Sequence, residues 1–264
     1  MILTSKSQFQ RCLEYTPEQQ FIARYKEFVL SSVYQPIYDS FDNVVGVEAL
    51  VRIKDSAGSA LRPDLFFGSD EYSEIDKINV ERLSRVIHIR NFAQSKYHSK
   101  KLFLNVLPIA GEKLAIEDLE HGLLAKRIKK LNLKNSQIVM ELIELDCQNQ
   151  QYLNLAMEKL NENGFNIAID DYGVNASTQE RVHQVNPHIL KLDRSLLIKY
   201  CNNDHEPLMN AITLAKRIGA LTVIEGIETK EQLEMMRSLN IDLYQGFFLA
   251  IPESLPPNSI DKTG

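Results

Sequence analysis

The sequence predicts an α/β fold, a TIM-type (β/α)8 barrel in which one strand runs antiparallel. Three observations carry that expectation. Eight short β-type runs alternate with long amphipathic segments, the pattern of parallel strands joined by helical crossovers. These runs occupy most of a 264-residue chain, and a closed barrel of roughly 250 residues suits that length better than an open doubly wound sheet. Most of the runs also carry one polar or charged residue within, or at the C-terminal end of, an otherwise apolar stretch.

Taken in order, residues 1–30 read as a helical lead-in, because Phe21, Ile22, Tyr25, Phe28 and Val29 fall at helical spacing. The runs SSVYQPIYD and NVVGVEALVRI follow, separated only by a polar turn around Ser40–Asn43. They form a hairpin, and this is the source of the antiparallel strand. KLFLNVLP, QIVMELIEL, FNIAIDDYG, HILKLDRSLL, LTVIEGIE and LYQGFFLA supply the rest, with helical patterns such as Ile75–Tyr97 and Asn149–Asn163 between them. The barrel domain is placed at residues 31–252. The Pro-rich, polar stretch 253–264 is expected to fray.

Composition narrows the function. With 44% apolar and 25% charged residues, the chain is not intrinsically disordered. A net charge of −5 argues against a nucleic-acid polymer as partner. No apolar run approaches the roughly 20 residues of a membrane span. Cys12, Cys147 and Cys201 are widely spaced and show neither metal-ligand pairing nor a disulfide framework. They read as reduced thiols of a cytoplasmic protein.

The strand-end polar residues are Glu48, Asn105, Glu141, Asp170, Lys191, Glu225 and Gln245. After Asn105 they are spaced by 36, 29, 21, 34 and 20 residues, roughly one βα unit each. In HILKLDRSLL, Lys191 and Asp193 share a face with Ile189, while Leu190 and Leu192 face the other way. The outer face of a barrel strand packs on helices, so the charges belong inside, at the upper mouth, where barrel enzymes place their chemistry. Glu48, Glu141, Asp170, Asp171 and Glu225 would then crowd one mouth, and Lys191 alone cannot balance them. Divalent cations can. Carboxylates with the amide oxygen of Asn105 are hard ligands suited to Mg²⁺ or Mn²⁺. The bland alternative is a set of unrelated caps and surface ion pairs. It weakens as the same position is marked strand after strand.

Those residues also lie in motifs. GVEALVR, FLNV, MELIE, IAIDDYG, LKLD, IEGIET and YQGFFLAIP, in this order, resemble the motif series of EAL-domain phosphodiesterases of bacterial cyclic di-GMP. Gln35-Pro36-Ile37 is similar to that family's opening strand, and the resemblance spans roughly residues 30–252. It implies hydrolysis of one phosphodiester bond to give linear pGpG, two Mg²⁺ or Mn²⁺ ions, inhibition by Ca²⁺, and a homodimer. Glu48, Asn105, Glu141, Asp170 and Asp171 would hold the metals, and Glu225 would assist or bridge through water. Lys191 would orient or deprotonate the attacking water, and Gln245 would hold that water or a ligand in place. Gln35, Leu50 and Arg52 would contact the dinucleotide. For Arg52 the alternative is a solvated strand-end charge, and for Gln35 a hydrogen-bonding role at the barrel bottom. Glu144 and Glu228 would support loops.

The chain also departs from the family pattern. Tyr172–Thr178 stands where relatives usually read Phe-Gly-Thr-Gly-Tyr-Ser-Ser, so Val174 lacks a hydroxyl and Asn175 replaces Gly. The segment after Arg52 lacks the usual Trp and the Pro-x-x-Phe-Ile-Pro run. No cyclase motif or recognisable sensor domain precedes the barrel in this sequence, which reads as a stand-alone catalytic module unless the chain is a fragment of a longer one. Two other functions compete: a cyclic di-GMP receptor with weak or no turnover, and a protein-interaction module.

Overall fold

A computed structural model describes residues 1–107, 123–142, 150–174 and 179–256. Eight strands close a barrel in the order β3 (Phe28–Asp39), β4 (Val44–Lys54), β6 (Lys101–Val106), β7 (Ile138–Leu142), β8 (Asn166–Tyr172), β9 (Ile189–Leu192), β10 (Leu221–Ile224) and β11 (Leu243–Tyr244). Six neighbouring pairs are parallel, and β3 is antiparallel to both β4 and β11. The expected hairpin is therefore present. Its turn is tied by Asp39 Oδ1, which accepts from the backbone N–H groups of Phe41 and Asn43 at 2.9 Å each.

Helices cover the outside: α3 (Glu74–Ala93), α4 (Leu123–Lys130), α5 (Gln150–Glu162), α6 (Gln179–Val185), α7 (Arg194–Cys201), α8 (Glu206–Ile218) and α9 (Lys230–Arg237). The main core lies between these helices and the outward faces of the strands. Leu104, Met140, Ile169, Leu190 and Ile224 belong to it, all essentially without exposure. No helix among the described residues is long and apolar enough to cross a membrane.

The first 30 residues differ from the helical expectation. Only α1 (Lys6–Cys12) is helical. β1 (Leu13–Tyr15) and β2 (Phe21–Tyr25) add to the long upper half of β3, and β5 (Ala60–Leu61) adds to β4. Phe21, Tyr25 and Phe28 mimic an i, i+4, i+7 stripe because a two-residue turn, Lys26-Glu27, joins the two strands. Tyr25 pairs with Phe28 across it, and Lys26 takes φ +51°. Ala23, Phe28 and Leu30 then bury in a second core with Ile53, Phe66 of α2 (Pro63–Gly68) and Leu83. Asn91 on α3 fixes β2 by exchanging hydrogen bonds with the backbone of Phe21, at 2.7 and 2.9 Å.

The inner face of α3 buries His88, whose Nδ1 lies 2.7 Å from Ser32 Oγ. Burial pushes its pKa down to about 3, while an unfolded histidine titrates near 6.5. Between those values the unfolded chain binds a proton that the folded chain refuses. The stability held by neutral His88 is complete above pH ~6.5 and is lost as the pH falls, at roughly 1.4 kcal/mol per unit. Urea unfolding at pH 7 and pH 5 should show that His88→Gln removes about 2 kcal/mol of the wild-type acid sensitivity. Equal pH slopes in the two proteins would contradict this.

Candidate active site and metal centre

Inside the barrel, strand alternation builds two layers. Ile37, Phe103, Val139, Ala168, Ile189, Val223 and Leu243, one from each of seven strands, form a buried apolar layer. The eighth strand, β4, contributes Gly46, where a Cβ would lie 2.7 Å from the Phe103 ring. Two residues further toward the C-terminal face, each strand places its next inward side chain. In chain order from β4 these are Glu48, Asn105, Glu141, Asp170, Lys191, Glu225 and Gln245. On β3, which runs the other way, the equivalent position is two residues earlier, at Gln35, directly across from Glu48 in the register. All eight strands thus contribute one polar residue to a ring standing on an apolar floor.

Lys191 is the hub of that ring. Its side chain is 1% exposed, and its Nζ lies 2.8 Å from Glu141 Oε1, 2.8 Å from Asp170 Oδ1, 2.9 Å from Glu225 Oε1 and 3.4 Å from Glu48 Oε2. Burial alone would lower the Lys191 pKa, but the four carboxylates outweigh it and hold the pKa well above the usual lysine value. Burial raises Glu141 and Glu225 far above ordinary glutamates, with Lys191 only partly offsetting it. Gln245 Nε2 donates to Glu48 Oε2 at 2.7 Å and to Gln35 Oε1 at 3.5 Å. Asn105 Nδ2 donates to Glu48 Oε1 at 3.3 Å, and Gln35 Nε2 donates to the Ala250 carbonyl at 3.1 Å.

Asp170 and Asp171 are sequence neighbours and would face opposite ways in a regular strand. The expected solution is that the strand ends at the pair. Instead β8 continues to Tyr172 with a bulge. Ile169 pairs with Leu190 and Tyr172 with Leu192, so one extra residue is accommodated on β8. Asp171 takes φ +52°, a left-handed conformation that Asp tolerates better than most residues. The turn brings both carboxylates to the same side. Partial desolvation, then the neighbouring Asp170 charge, pushes Asp171 up to about 6.

The donor set fits a divalent cation. Asp170, Asp171 and Glu225 each offer an oxygen, and these lie within 4.8 Å of one another. Glu225, read from sequence as an assisting residue, is therefore grouped with the aspartates. Glu141 Oε2 and Gln245 Oε1 are buried without a hydrogen-bond partner among the described residues, which an incoming cation or its water would remedy. Every donor is a hard oxygen, the preference of Mg²⁺, Mn²⁺ and Ca²⁺ rather than of thiophilic metals.

Leu50 and Arg52 continue the inward face of β4 above Glu48. They line a cavity of about 390 Å³ that opens from Glu48, Asn105 and Asp170 toward α2 and α3. Arg52 is exposed there and, among the described residues, donates to the Val51 carbonyl at 3.2 Å. The far wall was not anticipated. It is the polar stripe Glu81, Ser84, Arg85 and His88 of α3, with Glu81 and Arg85 ion-paired. Polar residues at i, i+3, i+4 and i+7 along one face of that helix were the available signal. Glu228 is exposed and pairs with Arg194 at 2.6 Å, away from the ring. Glu144 and Asn175–Thr178 lie outside the described residues.

The profile of the EAL domain matches residues 19–252, and so begins inside the segment read from sequence as a lead-in. A probable cyclic di-GMP phosphodiesterase, PdeN of Escherichia coli (strain K12), is 28% identical over 244 residues, 89% of this chain and 46% of that protein. The cyclic di-GMP phosphodiesterase NbdA of Pseudomonas aeruginosa is 28% identical over 227 residues, 83% of this chain and 28% of that protein. The chain thus spans about half, or less, of the length of these curated relatives. Among solved structures, the YkuI protein of Bacillus subtilis, with an EAL domain and in complex with c-di-GMP and calcium, matches with a TM-score of 0.73 and 24% identity. The match covers 85% of this chain and 56% of that one. A standalone EAL protein of Vibrio cholerae in its c-di-GMP bound form gives 0.73 at 21% identity, covering 87% and 94%. At such identities the structural likeness speaks for the fold. The sequence match, which takes in every strand of the barrel and every residue of the ring, makes the chain a member of the EAL domain family.

Proposed function

We propose that this chain is a cyclic di-GMP phosphodiesterase that opens its substrate to linear pGpG. The observation that carries this reading is the complete inner ring: carboxylates, amides and one lysine at all eight strand positions, with no apolar replacement. Its curated relatives named as phosphodiesterases of the same dinucleotide support the substrate.

Two divalent cations held by Glu48, Asn105, Glu141, Asp170, Asp171 and Glu225 would supply hydroxide near neutral pH and stabilise the leaving alkoxide. The chain's own residues do the rest. Lys191 is placed to hold the attacking water against the phosphorus. Gln245 is fixed through its Nε2 on Glu48 and Gln35, and its buried Oε1, without a hydrogen-bond partner among the described residues, would orient that water or a ligand. Asn105 donates to Glu48 in the same way and keeps its carbonyl oxygen for the site. Arg52, at the cavity rim, offers a planar fork for a phosphate. The cavity beside it seats one half of the dinucleotide. A homodimer, as the resemblance implies, completes the reading. A receptor without turnover is the second reading, favoured by Val174 and Asn175 in place of Thr and Gly.

Metal dependence tests the proposal. Cyclic di-GMP should be consumed with Mg²⁺ or Mn²⁺ and remain intact in chelator. Ca²⁺ should bind yet block turnover, because it is larger and accepts looser geometry. Full turnover in chelator would sink the mechanism.

A further inference from the structure

Glu225 lies just past the end of β10 and owes its place to the turn that follows it. Gly226 takes φ +69°, and a Cβ there would sit 2.5–2.6 Å from the Cβ, Cγ and Cδ atoms of Arg194. The Arg194 stem therefore lies directly on the Gly226 backbone, and its guanidinium reaches Glu228 at 2.6 Å. The same β9–α7 junction holds both metal-facing segments through its backbone. Asp193 N–H donates to the Tyr172 carbonyl at 3.1 Å, next to the Asp171 bulge, and Glu225 N–H donates to the Leu192 carbonyl at 3.0 Å. On the other side, Ile227 N–H donates to the Gln245 carbonyl at 3.2 Å, and Gly246 packs so closely on Ile227 that no side chain would fit.

We propose that Arg194 is a positioning residue. By covering Gly226 and gripping Glu228, it clamps the turn that carries Glu225 and so sets the spacing of Glu225 from Asp170 and Asp171. This rests on the reading that the three carboxylates hold a divalent cation. The pair is half-exposed on both sides, so by itself it adds little to stability. Its value is geometric, because a ligand oxygen displaced by a fraction of an ångström weakens coordination without unfolding anything.

The test is titration of the purified chain with Mn²⁺ alone by calorimetry, on wild type, Arg194→Ala, Arg194→Lys and Glu228→Gln. Arg194→Ala should bind Mn²⁺ about 5-fold more weakly, the scale of one lost exposed ion pair. Arg194→Lys, which keeps a stem and a charge, should recover most of that, and Glu228→Gln should shift affinity in the same direction as Arg194→Ala. In chelator the thermal midpoint of Arg194→Ala should stay within about 2 °C of wild type, while amide exchange at Gly226–Glu228 quickens. Unchanged Mn²⁺ affinity in Arg194→Ala would overturn the proposal. So would a loss matched by a general fall in thermal midpoint with faster exchange across β8 and β9. Wild-type protein that bound no Mn²⁺ would overturn the metal reading, and this one with it.

Discussion

Lys191→Met is expected to cost about 3–5 kcal/mol of stability in chelator and to abolish turnover. The substitution keeps an unbranched four-atom stem, with sulfur in place of one methylene, and deletes the ammonium. Four carboxylates at 2.8–3.4 Å then lose their shared counter-charge in a site where Lys191 is 1% exposed. Breaking a buried ion pair from one side costs roughly 3–5 kcal/mol, because the remaining charge is left without compensation. Protonation of Glu141 and Glu225, already favoured by burial, caps the loss. For a domain of this size it appears as a fall in thermal midpoint of roughly 10 °C. Excess Mn²⁺ should restore part of the stability by mass action and none of the turnover, since the ammonium proposed to hold the attacking water is gone. Chelator-state stability equal to wild type would mean that the carboxylates do not depend on Lys191 for their charge balance.

Glu48→Ala should lower kcat at least about 10³-fold, several kcal/mol of transition-state stabilisation, while the fold persists. Glu48 accepts from both Gln245 and Asn105, so its loss removes one candidate ligand and frees two others to turn. Relieving a crowded carboxylate offsets the lost hydrogen bonds, and the thermal midpoint in chelator should change by only a few degrees. Steady-state kinetics at saturating Mn²⁺ decide the matter. A near wild-type rate would place Glu48 outside the machinery.

Much of the barrel and its ring was legible because strand alternation is a strict two-residue period. Once Lys191 is assigned inward against Leu190 and Leu192, every ring residue follows from its apolar neighbours. Gln35 is legible only after the hairpin reverses β3, because its polar position then precedes the apolar one. Asp171 was harder. Its approach to the site depends on a left-handed backbone at a non-glycine residue, and no side-chain pattern announces that. The N-terminal strands were misread because two short strands and a tight turn imitate helical spacing at Phe21, Tyr25 and Phe28. The cavity wall was missed because Glu81, Ser84, Arg85 and His88 belong to a helix read only for its amphipathic length, not for the polar stripe on its buried face.

A phosphodiesterase must hydrolyse, and not merely hold, cyclic di-GMP at this ring. The most direct test is mass spectrometry of the nucleotide recovered after incubation with the purified chain and Mn²⁺ in oxygen-18 water. Hydrolysis of one bond predicts linear pGpG carrying one heavy oxygen on its terminal phosphate, and no such product in chelator. Cyclic di-GMP recovered intact and unlabelled, with Mn²⁺ present and the nucleotide bound, would contradict it and leave the chain a receptor.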